Sequence, residues 1–167
     1  MAILIWLAVG IVFAALTLLF APWTLWTRSR LDESLPTAAV GDSSSFGRDP
    51  ASPAVTEIAR GRFIRQEHKV AGTARVLELP DGQRILRLED LATTDGPDLH
   101  VWLSESPAGG NWFKYGKGRS IRLGALKATD GNHNYPIPAG EDLGGLSSAV
   151  IWCRRFRVAF GSAPLRL

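Results

Sequence analysis

Two patterns of apolar and polar positions divide the chain. From Ala2 to Trp26 no residue is charged and 21 of the 25 are apolar. About 20 apolar residues at 1.5 Å rise cross a hydrocarbon layer of ~30 Å. The run has no polar stripe, which separates it from a core helix packed on one face. No basic stretch precedes it, and no small-x-small cleavage site follows. It is therefore predicted to be an uncleaved single transmembrane helix over residues 1–27, not a signal peptide. Trp23 and Trp26 fall where an aromatic belt lies, and Arg28 and Arg30 follow within reach of the head groups.

Leu31–Ala54 (LDESLPTAAVGDSSSFGRDPASPA) is rich in Pro, Ser, Gly and Asp and has no apolar period. Residues 28–56 are predicted to be a flexible linker, with a reach of roughly 25–30 Å for such a stretch.

From Glu57 onward the period becomes two. Gly72–Leu79 (GTARVLEL) and Arg84–Leu88 (RILRL) alternate around Pro80-Asp81-Gly82-Gln83, a turn with a glycine free to take positive φ. In Asp98–Leu103 (DLHVWL), Leu99, Val101 and Leu103 share one face, and Asp98, His100 and Trp102 the other. Arg119–Leu123 is a further candidate strand. Ala149–Cys153 (AVIWC) is apolar on both faces, the mark of a central, covered strand. Phe156, Val158 and Phe160 alternate with Arg155 and Arg157, so a strand half-buried on its aromatic side is expected there. Glu141–Leu146 has room for one short turn, and Asp130–Tyr135 (DGNHNY) is read as turn-forming. Seven to nine strands over residues 57–167 make the domain all-β, an antiparallel β-sandwich or barrel.

Composition narrows the chemistry. The net charge of +3 is small and the basic residues are spread along the chain, so no nucleic-acid partner is expected. One cysteine excludes an internal disulfide, a Cys-rich zinc module and a covalent haem motif. The spacing of His68, His100 and His133 fits no zinc motif, and no metal site is predicted. Gly110–Gly118 (GNWFKYGKG) departs from a phosphate-binding loop, with five residues between its first glycines and no Ser or Thr after Lys117. No nucleophile elbow, zinc-protease helix or paired carboxylate motif is present, so a stand-alone enzyme is not expected.

Cys153 is the outstanding chemical position. It is either a small buried hydrophobe or a reactive thiol or soft ligand. Arg154 and Arg155 favour a thiolate, whereas the apolar run before them disfavours it. His133 and His100 are its candidate partners. Asp98 is either a turn residue or a carboxylate that orients the His100 imidazole.

Three blocks carry a resemblance to a known family. They are Gly96–Leu103 with Pro97 and Asp98; Leu123–Lys127 with Gly131–Pro138, containing Asn134 and Tyr135; and Val150–Phe156 with Val158–Gly161, containing Trp152, Cys153, Phe156 and Gly161. With Gly61-Arg62-Phe63 and Gly72-Thr73-Ala74, this pattern resembles the DM13 domain family over residues 57–165. The resemblance implies a β-rich extracytoplasmic domain, found beside DOMON and cytochrome b561-type modules, with a role in electron transfer. It also implies that the single Cys is a free thiol or helps to hold a prosthetic group such as haem.

Arg28 and Arg30 lean weakly towards a cytoplasmic domain, whereas the resemblance implies export. The expectation is a single-pass protein of the cell membrane with its C-terminal domain extracytoplasmic. Its partners would be the lipid bilayer and a separate redox or membrane protein. The alternative is a non-catalytic cell-surface binding module in which Cys153 is core packing.

Overall fold

The structure, a computed structural model, describes residues 28–36 and 55–167. The expected anchor of residues 1–27 lies outside the described residues. Among those described, no helix is long and apolar enough to cross a membrane.

The described residues form ten strands: β1 (Arg30–Asp32), β2 (Thr56–Arg62), β3 (Ile64–Arg65), β4 (Val70–Glu78), β5 (Arg84–Thr93), β6 (Leu99–Ser104), β7 (Ser120–Ala125), β8 (Asp130–Pro136), β9 (Ser148–Cys153) and β10 (Val158–Pro164). They make two five-stranded sheets, ordered β1-β8-β5-β4-β2 and β3-β10-β9-β6-β7. All pairings are antiparallel except β1 with β8. Of the sandwich or barrel expected from the period-two pattern, the two sheets make the sandwich the fold.

Alternation builds the core. Ala74, Val76, Leu86, Leu88 and Tyr135 of the first sheet meet Leu99, Val101, Leu103, Ala149, Ile151, Cys153 and Phe160 of the second in one cluster. Burial of these apolar faces is the main force holding the sheets together. The β4–β5 hairpin turns at Gly82, with φ of 80°. Strand β9 is central and buried along its whole length, as its two apolar faces require.

Three local expectations are corrected. Asp130–Tyr135 is not a turn but most of β8, where Gly131, His133 and Tyr135 are buried in alternation. The tertiary pairing with β5 overrides the turn preference of Asp, Gly and Asn. Phe156 does not lie on a half-buried strand. Val158 pairs with Cys153, so Arg154–Arg157 must form the β9–β10 turn, and Phe156 is 61% exposed at its tip. Arg157 closes that turn with a φ of 57°. Finally, Arg30–Asp32, at the start of the expected linker, is a parallel edge strand on β8.

That edge strand is held by side chains as well as by its ladder. Ser29 N donates to Thr129 Oγ1 at 2.9 Å, and Asn132 Nδ2 donates to Asp32 Oδ1 at 2.8 Å. Glu33 accepts from Lys127 Nζ at 2.8 Å and from Asn134 N at 2.6 Å. Asn134 Nδ2 donates to the Ser34 carbonyl at 2.7 Å, and Leu35 packs beside Leu77, Leu79 and Ile85. Arg28–Leu35 is thus part of the domain.

Candidate functional site

The second sheet has two different faces, and strand register decides which residue lies on which. Leu99 is opposite Cys153, and His100 is opposite Trp152. Neighbouring residues of a strand point to opposite faces. Cys153 therefore belongs to the inner face with Leu99, while His100 and Trp152 belong to the outer one.

Cys153 is a free thiol with 0% exposure, enclosed by the main apolar cluster. Its neighbours in that cluster are apolar side chains of both sheets. Arg154 and Arg155 are exposed. The Arg154 guanidinium is turned towards Asp98, with Nε 3.8 Å from Oδ2. Its charge serves an outer cluster and not the thiol.

In that cluster His100 Nε2 and Asp98 Oδ1 are 2.8 Å apart. With Nε2–H donating to the carboxylate, Arg154 Nη1, 3.4 Å from the same nitrogen, is a neighbour and not a donor to it. Asp98 thus orients the imidazole and also accepts the ion-pair contact of Arg154 on its second oxygen. Pro97 is exposed just before it. The arrangement can hold a charge pattern at the surface. Cys153, on the other face of the sheet, is not a nucleophile for this histidine.

Beside His100 lies an aromatic layer. Trp102 and Trp152 stack with centroids 5.1 Å apart, and Tyr115 meets Trp152 edge-on at 6.5 Å. The Arg122 guanidinium sits 5.2 Å from the Trp102 ring centroid. The loop carrying Tyr115 covers this layer. Tyr115 donates its hydroxyl to Ser162 Oγ at 2.8 Å, and Ala159 N donates to the Trp112 carbonyl at 2.9 Å. Burial, only partly offset by hydrogen bonding that includes Ser162, pushes the Tyr115 hydroxyl pKa up. Trp102 Nε1 is buried without a hydrogen-bond partner.

The first sheet places the remaining candidates. His133 faces the interior with 0% exposure. Its Nε2 is 3.2 Å from the Asp130 carbonyl, and its Nδ1 is buried without a partner. Neither nitrogen is bonded to Cys153. Burial holds the His133 pKa below the ordinary histidine value, despite the Asp130 carbonyl. Tyr135 accepts a hydrogen bond from Lys127 N at 3.0 Å, and its burial pushes its hydroxyl pKa up to about 12. Asn134 takes Arg87 Nη1 on its Oδ1 at 2.7 Å. Asn134 and Tyr135 are therefore framework residues. Gly161 is one as well, since a Cβ there would crowd Val70 Cβ at 2.8 Å.

Whether these residues suit a haem-like group follows from the same geometry. A thiolate ligand must face open space, whereas Cys153 is closed in and His133 is equally sealed. Three surface clefts of about 350, 300 and 290 Å³ are lined by none of Cys153, His100 or His133. Among the described residues no group of three or more His, Cys, Asp or Glu is placed to hold a metal ion. Cys153 and His133, as enclosed here, do not fit a prosthetic group.

The pattern reading missed Glu33 and Lys127, which join β1 to β8, and the basic side chains around one cleft. Sequence distance hid them, because Glu33 and Asn134 are 101 positions apart.

The molecule is thus a β-sandwich domain with one sealed thiol and a buried aromatic layer on one outer face. The Electron transfer DM13 family matches residues 62–165, more than half of the chain, and the chain belongs to that family. No curated protein and no solved structure shows a significant match.

Proposed function

We propose that the chain is a membrane-tethered, extracytoplasmic component of an electron-transfer system, with its redox centre on a separate partner. DOMON or cytochrome b561-type proteins are the class of partner the resemblance implies. In this reading Cys153 serves the packing of the core and is not an open redox thiol or a haem ligand. The observation that carries it is the enclosure of the sulfur at 0% exposure inside a domain of an electron-transfer family. An enclosed sulfur gives neither a reagent nor a metal centre a line of approach. The uncharged run from Ala2 to Trp26 supports the tether.

The test uses the full chain in membranes. It should resist alkaline extraction, and its C-terminal domain should be cleaved by protease added on the extracytoplasmic side. After incubation with haem the purified chain should show no Cys153-dependent Soret band. Release by alkali would remove the tether. A Soret band lost in Cys153→Ala would reinstate Cys153 as a ligand, the reading that family membership by itself favours.

A further inference from the structure

One end of the sandwich gathers cations that the sequence keeps far apart. Arg28, Arg65 and Lys69 line a cleft of about 300 Å³, together with Val70, Ala71, Ala92, Thr93 and Thr94. Among the described residues only Asp130 brings a carboxylate within 4 Å of any of the three cations, 3.7 Å from Arg28 Nε. Arg65 and Lys69 are exposed and free of such a partner. Three cations around one cleft with a single carboxylate near them leave positive charge for an anionic ligand. Position identifies the source. Arg28 immediately follows the apolar run, and β1 fixes it to the start of β8.

We propose that this cleft binds the phosphate of an anionic lipid head group at the bilayer surface. Arg28, Arg65 and Lys69 supply the charge, and Val70, Ala71 and Ala92 meet the apolar glycerol region. A phosphate bearing several oxygens suits spread cationic donors of this kind. The assignment rests on the anchor reading only for the lipid as source of the phosphate.

The full chain in non-ionic detergent micelles is titrated with short-chain phosphatidylglycerol, short-chain phosphatidylcholine and sodium phosphate. Phosphatidylglycerol should bind saturably and slow hydrogen exchange at Val70–Ala71 and Ala92–Thr94. The double substitution Arg65→Gln, Lys69→Gln should weaken it about 30-fold, from two surface charges near a lipid phosphate. Absence of saturation, or equal binding by the double variant, overturns the proposal. Phosphatidylcholine binding as well as phosphatidylglycerol overturns it too. Sodium phosphate binding as tightly as the lipid overturns the lipid source and leaves a soluble-anion site. Failure of the anchor would appear separately, as a full chain that fractionates with soluble proteins while the micelle titration is unchanged.

Discussion

Replacing Cys153 by alanine and by serine separates a packing role from a chemical one. The sulfur is fully enclosed, so Cys153→Ala removes one apolar atom and leaves a small void. The lost transfer energy is about 1 kcal/mol, and a residual cavity of about 20 Å³ adds roughly 0.5 kcal/mol. For a domain of this size the melting temperature should fall by about 5 °C. Serine nearly keeps the volume but buries a hydroxyl among aliphatic neighbours, which costs about 1–3 kcal/mol when unpaired. The expected order of stability is wild type, then alanine, then serine, read from urea midpoints with unchanged slopes. An exposed thiol would give the opposite result, since serine is its mildest replacement. Reaction with a small thiol reagent gives the second readout. Where labelling requires an open state populated at about one part in a thousand or less, it runs at least about 1,000-fold slower than in the denatured chain. Labelling of the folded protein within tenfold of the denatured rate, or a serine variant as stable as wild type, would refute the reasoning.

Other outcomes follow from the first sheet. His133 is held below its ordinary pKa of 6.5, so the unfolded chain takes up a proton first on acidification. Urea midpoints should be level above pH about 6.5 and fall as the pH drops from there towards the lowered folded value; His133→Leu should flatten that slope. Glu33 is lowered from 4.5, because its bonds to Lys127 and Asn134 outweigh the desolvation that raises it. Its contribution is therefore full above pH about 4.5 and lost as the pH falls through the folded value. At pH 7, Glu33→Gln should speed hydrogen exchange at Asn134 a few-fold, and the difference from wild type should close in acid. Gly131→Ala should free β1, since the residue has a φ of 108° and a Cβ there would overlap the Leu31 carbonyl. Exchange at Glu33, whose amide bonds to the Asn132 carbonyl, reports that loss.

The sandwich was legible wherever alternation and burial agree. The β4–β5 hairpin, the two faces of β6 and the covered β9 each follow from side-chain period alone. Strand β8 was hidden because its inward positions are Gly131, His133 and Tyr135, residues whose local chemistry argues for a turn. Strand β1 was hidden for another reason. Its three residues are polar or exposed, and its partners come from β8, about 100 positions away. At Phe156 the alternation was real but misleading. Phe156, Val158 and Phe160 keep one period, yet hairpin closure needs Arg154–Arg157 as a loop. At the candidate site, the burial of Cys153 was foreshadowed by AVIWC, whereas the separation of Cys153 from His100 needed the β6–β9 register. The basic cleft joins residues from β3, the β5 end and the first described position, so no local window contains it.

The docking of β1 changes what a cut between residues 37 and 54 would accomplish. The chain ahead of that interval remains clasped to β8 by a backbone ladder, an ion pair and the Asn134 amide. A protease acting there would produce two polypeptides that stay together as one particle. Separation of the two pieces would require the clasp to melt, so acid or loss of Glu33, and not the nick alone, would set its rate.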